Sequence, residues 1–238
     1  MHHLESFIEN LIPKKKLSTI IVVSKKKKNR NLLIYSAINN FLLEKNIRAP
    51  RFLTENYKKG FIEIEDFGNI TIHHTLKKSR SKFFIYKKTV NLLIKLQKIR
   101  PRILKDFFGK SHKLENYSVK NLHKESNLFF DWYLPLIMKK NQTTKIKRVL
   151  KKKLQILYKK LKFKNNIFVH RDFHVSNLMK VNNQIGVIDS QDAIIGNPAY
   201  DLVSLIDDVR IKTSNQLKKN IFNYYLNKCP KIYRRKKK

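Results

Sequence analysis

The sequence predicts an α+β fold in two lobes, a reduced strand-containing lobe followed by a mostly helical one. Three observations carry this. Short runs that suit strands, Ser18 to Ser24, Arg51 to Leu53 and Gly60 to Ile64, cluster early in the chain. Long stretches with apolar residues at helical spacing dominate the remainder. Between Ile167 and Leu205 two short apolar runs each lead into an Asp-bearing polar segment, as strands do when a hairpin delivers side chains to one spot.

Taken in order, Ser18 to Ser24 (STIIVVS) reads as a strand and Lys25 to Lys28 as a polar turn. Asn31 to Lys45 carries Leu32, Leu33, Ala37, Ile38, Phe41 and Leu42 on one helical face; Asn46 closes that helix and Pro50 prevents its resumption. After the strand at Gly60 to Ile64, Gly68 marks a bend. Thr71 to Ser79 is a short linker or helix, and its His73-His74 pair lacks the Cys or acidic neighbours of a metal site. Phe83 to Ile99 reads as a helix, with Phe84, Tyr86, Val90, Leu93, Ile94 and Leu96 as core candidates and Pro101 as its end. Ile103 to Val119 has no clear period.

Leu122 to Met138 holds the single Trp132 among Leu128, Phe129, Phe130, Tyr133 and Leu136, and is expected to be a core helix rather than a base-stacking platform. Thr144 to Leu161 is a basic amphipathic helix; packing against the following domain is preferred over lying on a membrane. Helices are expected after Asp201 and over Asn215 to Leu226, and KIYRRKKK reads as a basic tail. The expected organisation is a small lobe and hinge over residues 1–69, a helical large lobe over 70–229 and a tail over 230–238.

The chain has 238 residues, ample for one large domain or two small lobes. No apolar run approaches a membrane span, and MHHLESFIENLIPKKK lacks the order of a signal peptide. One cysteine, Cys229, excludes an internal disulfide and fits a reducing cytosol. Lys+Arg number 53 against 17 Asp+Glu, a net +36. The lysines are spread along the chain, and Lys, Asn and Ile dominate over five glycines, as AT-rich coding would yield. The charge therefore reads as solvated surface rather than as a specific nucleic-acid or membrane site, with a weak, salt-sensitive attraction to polyanions.

Chemistry concentrates in HRDFHVSNLM and GVIDSQDAIIGNPAYDL. Asn177 follows Asp172 by five residues and Asp189 follows Asn177 by twelve. A carboxylate to orient a hydroxyl, with an amide and a second carboxylate to hold Mg²⁺ on nucleotide phosphates, is the equipment of phosphoryl transfer. Asp172 is the expected base; Asn177 and Asp189 are the expected nucleotide-metal ligands. His170 and His174 have H-x-x-x-H spacing, but the segment is a loop without a third ligand, and Asp172 and Asn177 prefer a hard cation to zinc. His170 is expected to hydrogen bond to the loop backbone. Arg171 either lowers the Asp172 pKa or anchors the loop. Asp192 either reaches the acceptor or a second metal, or caps the turn into Ala193.

The order His-Arg-Asp, Asn and then Asp is that of the protein-kinase catalytic set. HRDFHVSNLM with GVIDSQDAIIGNPAYDLVSL resembles the aminoglycoside phosphotransferase/choline kinase superfamily, most closely the bacterial kinases of N-acetylmuramate and N-acetylglucosamine that act at the anomeric hydroxyl. GFIEIEDFG and ESNLFFDWYL extend the resemblance, which runs from about Ile20 to about Leu226. It implies a protein-kinase-like two-lobe fold and an ATP- and Mg²⁺-dependent cytoplasmic monomer that phosphorylates a small hydroxyl acceptor. Glu65-Asp66-Phe67-Gly68 would be the hinge, with backbone near Ile64 and Glu65 meeting the adenine. Asp201 would accept hydrogen bonds from the catalytic-loop backbone, and the Trp132 region would lie under the acceptor pocket. The phosphate-covering segment of these kinases has no counterpart before Ile20, no G-x-G-x-x-G or Walker loop occurs, and Lys25 to Lys28 are the nearest substitutes for the kinase lysine. The chain reads as such a kinase shortened at both ends. The alternatives are a choline-, homoserine- or aminoglycoside-type kinase, and a basic RNA- or membrane-binding protein on a kinase scaffold.

Overall fold

The computed structural model describes residues 18–24, 29–101, 103–161 and 166–230. The expectations for the N-terminal segment, for Lys25 to Lys28 and for the basic tail from residue 231 lie outside the described residues. The small lobe is a three-stranded antiparallel sheet of β1 (Thr19–Val23), β3 (Phe61–Glu65) and β2 (Phe52–Asn56), with β3 central and Ile64 opposite Ile20. Helix α1 (Asn29–Glu44) serves both lobes. Its Leu32 and Tyr35 pack with Tyr57, Ile62 and Ile64 of the sheet, while Ala37, Ile38, Phe41 and Leu42 enter the large-lobe core. It ends as expected at Asn46, whose φ of +56° lets Ile47 N–H reach the Leu42 carbonyl at 2.9 Å.

In the large lobe, α2 (Ile72–Lys78) is capped by Thr71, whose hydroxyl accepts from His74 N–H. Helix α3 (Lys82–Lys98) buries Tyr86, Val90, Leu93, Ile94 and Leu96 against α8 (Asn215–Lys228) but leaves Phe84 exposed. The segment without a clear period forms a short hairpin, β4 (Leu104–Lys105) with β5 (Ser111–His112). Asp106 holds its turn, accepting from Phe108 N–H, Lys110 N–H and His112 Nε2. Phe107 and Phe108 at its tip stack on Phe52 and Tyr57 of the small lobe, centroids 5.8 and 5.0 Å apart. A segment beyond residue 69 thus closes the side of the small lobe.

Two helical expectations are corrected. Leu122 to Met138 is α4 (Val119–Leu128), one wide π turn (Phe129–Tyr133) and α5 (Leu134–Ile137). Only Phe130 and Leu134 are buried there, and Trp132 is 73% exposed. The large apolar residues are consecutive and so surround the helix, and one i, i+4 line alone can face inward. Helix α6 (Lys140–Lys160) does not pack fully on the lobe that the chain goes on to build: Tyr158 is its one buried residue, while Val149, Ile156 and Leu157 face outward.

The strands around the motif also differ from expectation. Ile167–Val169 (β6) and the run at Ile185 do not pair. Strand β6 pairs antiparallel with β9 (Ile194–Gly196), and the hairpin is β7 (Leu178–Val181) with β8 (Gln184–Val187). Asn182, at φ +51°, turns it tightly. Helix α7 (Ala199–Ile206) follows β9. The hairpin meets the hinge at Gly186, where a Cβ would stand 2.5 Å from the Phe67 ring. Gly186→Ala should lower stability by about 1–3 kcal/mol, read as a reduced Tm in thermal melts.

Candidate active site

The loop after β6 is built by alternation. Phe173 and Val175 are fully buried and anchor the loop, while Asp172 between Arg171 and Phe173 is only partly buried. Asp201, in the first turn of α7 and 1% exposed, accepts from His170 N–H at 2.8 Å and Arg171 N–H at 3.0 Å. The resemblance implied this contact. Burial outweighs the two N–H donors and pushes the Asp201 pKa up to about 7. Asp208, two turns further on and also buried, accepts from Val175 N–H at 3.1 Å and is held by Arg210. Two carboxylates therefore carry the loop at both ends. Between them Arg171 adopts φ +73°, a left-handed conformation that costs a side-chain-bearing residue.

The His170 ring meets backbone as expected, but that of Ile188, just before Asp189, rather than that of its own loop. It is completely buried. Burial holds its pKa down to about 4, so the imidazole stays neutral; its backbone N–H does the anchoring. Arg171 reaches Glu125 of α4, Nη2 to Oε1 at 3.0 Å. The Asp172 pKa is raised, first by burial and then by the charge of Asp189; Arg171 pulls it down only as a minor influence.

The β7–β8 hairpin joins the remaining groups. Asn177 precedes β7, Ile188 follows β8, and Ile188 N–H donates to the Asn177 carbonyl at 3.1 Å. Asn177 Nδ2 donates to the Asp172 carbonyl at 3.2 Å, which leaves its Oδ1 outward. Asp189, at φ +65°, receives Gln191 Nε2 on Oδ1 at 2.6 Å. Buried Ser190 donates to Asn39 Oδ1 of α1 at 2.7 Å, tying the Asp189 turn to the bridging helix.

A largely apolar cleft of about 570 Å³ lies between the lobes, with Ile64, Glu65 and Phe67 on one side and Asn177, Ile188 and Asp189 on the other. Glu65 N–H is committed to the Arg51 carbonyl at 2.9 Å, and its carboxylate is paired with Arg48 and Arg51. The Phe67 backbone, two residues past the ladder, has no hydrogen-bond partner among the described residues. Arg48 is a junction: its carbonyl accepts from Val187 N–H at 2.8 Å and its guanidinium lies 4.8 Å from the Phe67 ring centroid. A second cleft of about 810 Å³ opens beside the first, lined by Leu33, Lys110, His112, Arg171 and Asp192. Arg171 lines the second cleft and Asn177 the first, and Asp172 lies near enough to Asp189 and Asp192 to feel the charge of both.

Ile64, Glu65, Asn177 and Asp189 thus share one cleft, and Asp172 is tied to it through Asn177 and the charge of Asp189. Arg48, Asn39, Asp208 and the Arg171–Glu125 pair escaped the sequence reading. Asp208 had a signal, a second acid seven residues after Asp201 at the end of an apolar stretch; Arg48 and Asn39 had none.

The model of the phosphotransferase enzyme family matches residues 85–236. An N-acetylmuramate/N-acetylglucosamine kinase of Neisseria meningitidis serogroup B is 28% identical over 166 residues, covering 70% of this chain and 48% of the relative. The enzyme of the same description from Pseudomonas aeruginosa is 28% identical over 171 residues, covering 72% and 48%. The chain spans about half the length of these relatives. Among solved structures, an ADP-bound aminoglycoside phosphotransferase superposes with TM-score 0.59 at 18% identity, covering 96% of this chain and 84% of its own. A choline kinase from Streptococcus pneumoniae gives 0.57 at 13%, covering 94% and 80%. These likenesses show the kinase-like two-lobe fold. No helix among the described residues is long and apolar enough to cross a membrane.

Asp201→Asn should cost about 1–3 kcal/mol, because the amide nitrogen cannot accept from a loop N–H, whereas both oxygens of the carboxyl group keep a lone pair even when it is protonated. The folded pKa of about 7 lies above the ordinary 3.8. The stability this carboxyl contributes is therefore fully present below pH ~4 and is lost as pH rises through the folded value. The gap between wild type and variant should narrow from pH 4 to pH 7 in denaturant titrations.

Proposed function

Since the chain belongs to the phosphotransferase enzyme family, we propose that it transfers the γ-phosphoryl group of ATP to the anomeric hydroxyl of an N-acetylated amino sugar. The convergence of Asp172, Asn177 and Asp189 at the edge of the apolar interlobe cleft carries this reading. The names of the curated relatives support the acceptor class. The adenine would lie against Ile64 and Met179, with the end of β3 at Ile64 and Glu65 framing it and the free Phe67 backbone offering donor and acceptor.

Asn177 Oδ1 and the Asp189 carboxylate are hard oxygen donors on one cleft wall, and the Asn177 amide is oriented by its bond to the Asp172 carbonyl. This donor set fits Mg²⁺, which takes few protein ligands and completes its octahedron with phosphate oxygens and water. When bound, the ion neutralises charge on the phosphates. Asp172 then orients the acceptor hydroxyl and takes its proton. Its raised pKa improves it as a proton acceptor. An anomeric hydroxyl is more acidic than an ordinary alcohol and demands little of that base, and a loose transition state demands less still.

A panel of sugars with labelled ATP tests the reading. N-acetylated hexoses with a free anomeric hydroxyl should be phosphorylated and their 1-O-methyl glycosides should not; labelled methyl glycoside would refute anomeric transfer. Asp172→Asn should lower kcat by about 10²–10⁴-fold with little change in the KM for ATP, since the amide still hydrogen bonds but takes no proton. Asp189→Asn should abolish transfer while leaving the circular dichroism spectrum intact, and wild-type turnover in that variant would remove the metal assignment.

A further inference from the structure

Glu125 is the meeting point of a network outside the three groups that face substrate. Its Oε1 accepts from Arg171 Nη2 at 3.0 Å and lies 3.4 Å from the Tyr200 hydroxyl; its Oε2 accepts from the Tyr117 hydroxyl at 2.6 Å. The Tyr117 and Tyr200 rings meet edge to face, centroids 5.3 Å apart. Thus the segment before α4, α4 itself, the catalytic loop and α7 all close on one carboxylate.

An isolated, partly exposed ion pair holds little. This one is different because two hydroxyls restrain the carboxylate before the guanidinium arrives, so little side-chain freedom is lost in pairing. Burial together with Glu125 drives the Tyr117 phenol well above its ordinary pKa, so it remains a hydrogen donor to the carboxylate. Arg171 is also the residue whose backbone is strained at φ +73°, immediately before Asp172. Asp201 fixes its amide; the guanidinium fixes its other end.

We propose that Glu125 is a positioning residue for phosphoryl transfer: through the Arg171 guanidinium it holds the strained turn that aims Asp172 at the acceptor. This rests on the reading of Asp172 as the acceptor-facing base. The same contact sets the wall of the second cleft, where Arg171 is exposed to whatever the acceptor presents.

Glu125→Gln keeps the shape and can still accept from Tyr117, but loses the charge that holds Arg171. The expected result is a kcat about tenfold lower, with the KM for ATP within about twofold and an unchanged melting curve. Arg171→Gly supplies the partner variant, because glycine adopts φ +73° without strain and has no guanidinium. In that background Glu125→Gln should change kcat no further. A second readout needs no activity: amide hydrogen exchange should quicken at residues 170–175 in Glu125→Gln and stay unchanged elsewhere. If the wild-type chain phosphorylates no sugar, the function reading fails and the exchange experiment alone decides the positioning role. Should Glu125→Gln fail to fold, Arg171→Lys, which keeps the charge and loses the fork, gives the same local exchange readout. Equal kcat losses in both backgrounds, or exchange that is unchanged or quickened throughout the chain, would overturn the proposal.

Discussion

Everything at this site hangs on one buried carboxylate. Asp201 sits beneath the loop at the start of α7 and takes two consecutive backbone N–H groups. A hydrogen bond to a charged group contributes about 1.5–3 kcal/mol, while a left-handed residue costs about 1–2 kcal/mol. Two such bonds can therefore hold Arg171 at φ +73°. They do so against the cost of burying the acid, which is why its pKa stands near 7 rather than in the carboxylate range. Asp208 repeats the device at Val175. With one end carried from the first turn of α7 and the other from just past its C-terminus, the loop is a rigid platform whose outward groups keep fixed places.

The platform divides two clefts, and α1 joins the parts that must agree. One face of α1 belongs to the small sheet and the other to the large core, while Asn39 grips Ser190 beside Asp189. Arg48, just past its end, binds hinge and hairpin together through Glu65, Phe67 and Val187. A shift of the small lobe would thus be felt at Asp189 through two independent connections. The small-lobe wall of the cleft and the Asp189 turn are mechanically linked by packed, hydrogen-bonded groups rather than by a flexible hinge alone.

Much of this was legible in the chain, for reasons that differ by residue. The helix at Phe83 to Ile99 declared itself because its core positions keep strict spacing, and Asn46 declared its end because few residues tolerate positive φ. Asp172, Asn177 and Asp189 were legible because the chemistry requires those types in that order. The strand partners were not. Runs of three or four residues carry no information on whom they pair with, and β6 found β9 rather than the run at Ile185. The Trp132 stretch misled because hydrophobicity without a period says nothing about which side is buried. Arg48 and Asn39 are ordinary polar residues whose importance arises only from what folding brings to them.

A further signal lay in charge. The chain holds 53 Lys+Arg against 17 Asp+Glu, yet from Ile167 to Asp208 acids outnumber bases, with Asp172, Asp189, Asp192, Asp201, Asp207 and Asp208 against Arg171 and Lys180. In a lysine-rich background a carboxylate drifts away easily unless something fixes it. Asp201 and Asp208 are fixed by backbone N–H groups that no lysine could serve. The Asp172 pKa is raised first by burial and then by repulsion from Asp189, an arrangement that stability alone would not favour. Acids held near one another against their own repulsion are what the proposed nucleotide-borne cation would require, and the cleft beside them has about 570 Å³ of space.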